Sequence, residues 1–256
     1  MMSVAYAPDG LLGVLTPQAN TTVEPELALL MPRGTAWING RLMSGRATIA
    51  DRLRDYFANY AASMGQFANA PVGAVAFACT GASYLAGVAK EDATIAEIAG
   101  RHGIPVLTAA TAVADALRAL GARRIGLVSP YDEALDAASV EYWTARGFTV
   151  AAKSSAWRRS DEFHPIYSLP GGASQAALDR LAGEPLDGVV MLGTGMPTLH
   201  TIARSPRLGS APVLSCMLCL AWRSVVALAG GTPDAASLLA MVDGAGWRDR
   251  LPTPAV

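Results

Sequence analysis

Charge is scarce in this chain. Only 16% of its 256 residues are Asp, Glu, Lys or Arg, and they nearly cancel, to a net charge of −1. Without a dense Lys/Arg face, neither nucleic acid nor an anionic membrane surface is expected as a partner. Long apolar runs are also missing: none reaches the ~18 residues of a spanning helix. The opening MMSVAYAPDGLLGVL has no basic start of the kind a secretory signal carries. Three cysteines, an odd number at irregular positions, exclude a disulfide framework and predict a reducing, cytoplasmic setting. No G-x-G-x-x-G or P-loop occurs, and Cys216 and Cys219 form a lone C-x-x-C with no second pair and no nearby His. We therefore expect no cofactor and no metal, and read both of those cysteines as packing residues. What is plentiful is apolar: 52% of residues are hydrophobic, enough for a globular chain with two lobes of ordinary size. Low charge with abundant Ala suggests surface hidden in a homo-oligomer.

The stretch Gly73–Ser83, GAVAFACTGAS, organises the rest. Ala74–Ala78 is apolar without alternation, the signature of a strand covered on both faces. Cys79 ends it, and Thr80 and Gly81 open a turn. Small-residue turns at the carboxyl ends of parallel strands are where open α/β sheets bind ligands. Backbone N–H groups at the following helix start would favour an anion and would stabilise a thiolate at Cys79. The alternative is that Cys79 is an inert buried apolar residue.

The pattern recurs. DGVVMLGTGMPTL places Gly193-Thr194-Gly195 where Cys79-Thr80-Gly81 stood, 114 positions on. GVLTPQ (13–18) matches GLVSPY (126–131), and GIPVLTAATAVADALRAL (103–120) matches SAPVLSCMLCLAWRSVVAL (210–228). Three units in one order at nearly one spacing are an internal duplication. The predicted architecture is α/β: two pseudo-symmetric Rossmann-like lobes, each with a parallel four-stranded sheet, and an active site in the cleft between them. The first lobe is assigned 1–110 plus 217–256 and the second 111–216. In that frame Cys79 faces Gly193, and Gln18 faces Tyr131. Helices are expected over Ile49–Met64, Ala93–His102 and Ser174–Ala182.

Other residues have two readings each. Asn20 either caps the first helix or binds a substrate carboxylate. Tyr131, directly after a strand, can donate its hydroxyl to an anionic oxygen. Arg41 is a solvated cation or an anion partner in the cleft. The loop Trp157–Pro165 is mostly surface, although Asp161 or His164 can approach the cleft. His200 reads as exposed or satisfied in the core. Met196, Leu199 and Trp157 are candidates to enlarge the pocket.

Taken together, TPQANTTVEPE, AFACTGAS, VSPY, MLGTGMPTL and PVLSC…AW resemble the aspartate/glutamate racemase superfamily, in particular its maleate cis-trans isomerase and arylmalonate decarboxylase branch. The resemblance implies two like lobes, a cleft site and no cofactor. It implies a nucleophile at Cys79 and carboxylate binding by Tyr131, by Asn20 and by the Thr80–Gly81 backbone. The chain departs from the superfamily at Gly193, where a second cysteine is expected. A single thiolate suits cis-trans isomerisation of a small unsaturated dicarboxylate, through addition, bond rotation and elimination. Racemisation, which needs a residue on each face of the carbon, is disfavoured. An arylmalonate-type decarboxylase, a single-cysteine hydrolase and a binding protein without chemistry are the alternatives.

Overall fold

The computed structural model describes residues 4–160, 162–170 and 172–253. Strands β1 (Gly10–Pro17), β2 (Thr35–Leu42), β3 (Ala74–Phe77) and β4 (Val106–Thr108) form one parallel sheet in the order β2-β1-β3-β4. Strands β5 (Arg124–Ser129), β6 (Thr149–Ser155), β7 (Gly188–Met191), β8 (Arg207–Leu208) and β9 (Ala211–Ser215) form a second, ordered β6-β5-β7-β9-β8. Its first four members are parallel and repeat the order of the first sheet. The two-residue β8 runs antiparallel on the edge and is an addition to the expected four. Its two short residues carry no periodic signal that a sequence could show.

The apolar runs lie where their composition demands. Every residue of β3, β7 and β9 is buried, as expected of central strands covered on both faces. Helix Ala109–Ala119 carries a Thr108/Thr111 capping box at its start, and its buried alanines let the return helix Cys216–Leu228 approach closely. The return helix also packs on β1, β3 and helix Val23–Leu30 of the first lobe.

Two expectations need correction. The helix expected over Ile49–Met64 ends at Ala58, with a short turn of helix and a 3-10 turn following. Asn59 breaks it: its backbone leaves helical values at φ −99°, ψ 8°, and its amide donates back to the Asp55 carbonyl at 2.8 Å. The helix expected from Ala93 starts at Val88 instead, directly after Gly87 at φ +79°.

Two buried carboxylates tie the lobes. Glu91 of helix Val88–His102 accepts from Thr108 (2.6 Å), from the Tyr142 hydroxyl and from Arg146 (2.6 Å), the last two on a second-lobe helix. Glu26 of helix Val23–Leu30 accepts from the backbone N–H of Thr198 (2.7 Å) and Leu199 (3.3 Å) and from the Thr198 hydroxyl. Glu26 thereby secures the segment that carries Gly193–Gly195. Among the described residues no helix is long and apolar enough to cross a membrane.

Candidate active site

The carboxyl ends of both sheets converge on one cavity of about 150 Å³, close to the roughly 150 Å³ that an engineered apolar cavity needs to hold benzene. Cys79 sits on its wall in extended backbone (φ −146°, ψ 102°), immediately before helix Thr80–Ala86. The thiol is 3% exposed. Burial pushes its pKa up to about 12, against a smaller downward pull from the N–H groups of Ala82 and Gly81. The expected stabilised thiolate is thus corrected. Desolvation of the charge outweighs the two donors, which favours the thiol over the thiolate.

Each lobe reaches across to the other through a threonine. Thr80 shares a 2.9 Å hydrogen bond with the Tyr131 hydroxyl. Thr194 donates to the Ala78 carbonyl at 2.8 Å and accepts from the Asn20 amide at 3.2 Å. The Asn20 carbonyl accepts from the N–H groups of Thr22 (2.8 Å) and Val23 (3.1 Å). The capping reading of Asn20 therefore holds for its oxygen, while its nitrogen is directed at Thr194 of the second lobe. Burial raises the Tyr131 pKa well above the ordinary tyrosine range, so its hydroxyl stays a donor at neutral pH.

A side chain at Gly193 would be strained. Its φ is +85°, a left-handed conformation that L-residues resist. A Cβ there would lie 2.8 Å from Ile166, 3.0 Å from Pro130 and 3.1 Å from the Tyr131 hydroxyl oxygen. The site of the superfamily's second cysteine is filled by Tyr131 and Ile166. Gly81 also has a close neighbour, since a Cβ on it would lie 2.9 Å from Leu53.

Of the residues singled out in the sequence, Cys79, Thr80, Gly81, Tyr131, Asn20, Gly193, Thr194 and Gly195 line the cavity. Gln18 does not. Its side-chain oxygen is taken by the Ser44 N–H at 2.7 Å, because the turn after β1 aims it at the loop beyond β2. Arg41 is held in an ion pair with Glu24 outside the cavity. His200 is bonded to the Pro252 carbonyl at 2.8 Å. Met196 and Leu199 belong to the core, and half-exposed Trp157 lies away from the cavity. Asp161 lies outside the described residues. Cys216 is fully buried behind the wall, its pKa raised to about 12 by burial despite the Gly193 N–H and the Thr80 hydroxyl nearby.

Of the outer wall, sequence reasoning named only His164 as a residue that could approach the cleft, and it does line the cavity. Ile49, Arg52, Leu53 and Tyr56 face the cavity from helix Ile49–Ala58, and Phe163, His164, Ile166 and Tyr167 line it from the second lobe. The His164 pKa is lowered to about 4 by burial, so its ring is neutral. The spacing of Ile49, Arg52, Leu53 and Tyr56 on one helical face was visible, but aromatic residues at that spacing read equally well as core.

A strand-end thiol, met across a narrow cleft by hydroxyl and amide groups from a second copy of its own fold, defines a two-lobed α/β enzyme whose halves share one reaction chamber. The sequence model of the arylmalonate decarboxylase family matches residues 12–239, and the chain belongs to that family. It is 28% identical over 215 residues to a maleate isomerase of Nocardia farcinica (strain IFM 10152), covering 80% of this chain and 84% of that protein. A structure of the Nocardia farcinica maleate cis-trans isomerase, a cysteine-to-serine variant with a covalently bound succinylcysteine intermediate, superposes with a TM-score of 0.75 at 25% identity, over 87% of this chain and 93% of that one. A variant of arylmalonate decarboxylase with one glycine changed to cysteine and one cysteine changed to serine, in its liganded form, gives 0.75 at 21% identity, over 87% and 94%, a likeness of fold.

Proposed function

We propose that the protein is a cysteine-dependent isomerase of a small unsaturated dicarboxylate, working without a cofactor. The observation that carries this reading is the placement of Cys79: it is the cysteine that lines the cavity shared by the lobes, among donors suited to a carboxylate. A relative caught as a succinylcysteine adduct supports it. The Cys79 thiol passes its proton to a substrate carboxylate, to be recovered when the thiolate leaves, and its sulfur forms a C–S bond to one olefinic carbon. The π pair moves to the other carbon and into its carboxylate. Rotation about the resulting single bond follows. Return of the pair then re-forms the double bond and expels the thiolate. Charge develops on the carboxylate oxygens, where the Tyr131 hydroxyl, the Asn20 amide and the Thr80–Gly81 and Gly193–Gly195 backbone offer hydrogen bonds. Thr80 fixes the direction of the Tyr131 hydroxyl.

A second reading, decarboxylation of a substituted malonate, is favoured by the family match over residues 12–239. It lacks an acid at residue 193. Incubation with maleate and with phenylmalonate, followed by NMR of the products, separates the two. Fumarate formation alone supports isomerisation, phenylacetate formation supports decarboxylation, and consumption of neither removes both substrates.

We keep 1–110 plus 217–256 and 111–216 as the two lobes, supported by the packing of the return helix on the first sheet. The three free thiols fit a reducing cytoplasm. A homo-oligomer is supported by Ile38 and Met43, exposed on and just beyond the edge strand β2.

A further inference from the structure

The groups named around Cys79 leave Arg52 without a role. Among the described residues lining the cavity it is the single side chain with a fixed charge. Its Nη2 donates to the Arg46 carbonyl at 3.1 Å, and its guanidinium carbon lies 4.2 Å over the Phe163 ring. Its Nε is buried with no hydrogen-bond partner among the described residues, and the Tyr56 hydroxyl lies within reach of the guanidinium. A guanidinium never sheds its charge, and a buried donor left unpaired is unfavourable unless something arrives to accept from it. Its positive charge is felt across the chamber, where it lowers the pKa values of Tyr56, Tyr167 and His164 against the effect of burial or adds to it. No carboxylate of the described residues forms a salt bridge with it.

The lining around it is apolar. Leu53, its neighbour on the helix, packs on Gly81 beside the cysteine turn, and Leu135, Ile166 and the aromatic rings complete the wall. Apolar surroundings strengthen a charge-assisted hydrogen bond.

We propose that Arg52 recognises a second acid group of the substrate, so that the cavity selects dianions whose two acid ends are joined by an unsaturated, largely apolar segment. This rests on the reading that the Cys79 cavity binds an unsaturated carboxylic acid. It adds which residue decides between one acid group and two. The competing role for Arg52 is to hold the Phe163 ring over the cavity mouth, and the test separates these.

Calorimetric titration of the full chain compares maleate, phenylmaleate and cis,cis-muconate, each with its monoamide. The wild type binds at least one diacid about 10- to 100-fold more tightly than the matching monoamide. Arg52→Met abolishes that margin while leaving monoamide binding within about twofold, and Arg52→Lys retains part of it. Equal weakening of diacid and monoamide by Arg52→Met assigns Arg52 to holding the loop and overturns the proposal. So does an unchanged margin, and so does the absence of binding by all three diacids. Turnover is read separately, in the maleate and phenylmalonate incubation, so the two conclusions can fail separately. Arg52-dependent diacid binding without isomerisation sinks the isomerase and keeps this site. Isomerisation with a diacid margin untouched by Arg52→Met does the reverse.

Discussion

After β3 the chain runs Ala78-Cys79-Thr80-Gly81 into a helix; after β7 it runs Leu192-Gly193-Thr194-Gly195 and swings away through a left-handed residue. The two turns are counterparts in the duplication, and their threonines do matching work. Thr80 crosses to Tyr131 in the second lobe, and Thr194 crosses to Asn20 and the Ala78 carbonyl in the first. Only the residue before the threonine differs in kind. Cys79 is extended and presents a sulfur to the cavity, whereas Gly193 has its side-chain volume occupied by Ile166, Pro130 and the Tyr131 hydroxyl. A duplicated scaffold has kept its symmetric framework and become chemically one-sided. In the same pairing Asn20, not Gln18, meets the threonine of the opposite lobe as Tyr131 does.

Removing the sulfur should break this comparison most strongly. Cys79→Ser is expected to lower the isomerisation rate at least about a thousandfold, since a hydroxyl is a far weaker nucleophile at neutral pH. Melting temperature should hardly move. Retained turnover in that variant would end the case for a covalent sulfur.

Restoring the symmetry should fail. Gly193→Cys must place a Cβ at positive φ against three neighbours, at a combined cost of about 2–4 kcal/mol in denaturant unfolding. No racemase or decarboxylase activity should appear. A stable, newly active variant would show that the filled space can reopen.

Glu26 anchors the second turn from the first lobe, and its pKa is raised to about 7 by burial, against the pull of the Thr198 and Leu199 N–H groups and the Thr198 hydroxyl. Its folded pKa exceeds its unfolded one of 4.5, so the native state binds the extra proton between them. The Glu26 contribution is therefore full below about pH 4.5 and declines as pH rises through about 7, by about 3 kcal/mol in all. Glu26→Gln keeps an oxygen for the two N–H groups and should flatten that part of the stability–pH curve, as read by urea unfolding from pH 4 to 8. An unchanged slope would mean that Glu26 is ionised throughout.

The smallest effect is kinetic. Iodoacetamide should label Cys79 ahead of Cys216 and Cys219, which lie outside the cavity. The labelling rate should climb about tenfold per pH unit from 7 to 10 without levelling, because the thiolate fraction grows that way below a pKa of about 12. A plateau near pH 8 would mean that the thiol is activated even without substrate.

Much of this was legible in the residues. Unbroken apolar runs identified β3, β7 and β9 because a strand buried on both faces has no polar side to show. The recurrence of a small-residue turn after two of them located Cys79 and Gly193 opposite one another, since a duplicated sequence carries its strand ends along. Asn59 ended a helix that its neighbours' periodicity would have continued, because a single residue's backbone angles are decided by local hydrogen bonding that spacing does not report.

By itself, then, the order of residues settled the two-lobed α/β plan, the family, and a thiol at the end of β3. Those features depend on local pattern and repetition. Folding alone decided that Gln18 turns to Ser44, that a side chain at residue 193 would be strained, that Glu26 spans the lobes, and that Arg52 shares a chamber with Phe163 and Tyr167. Each of these depends on side chains brought together from distant parts of the chain, where shape and desolvation, rather than residue type, determine what a group can do.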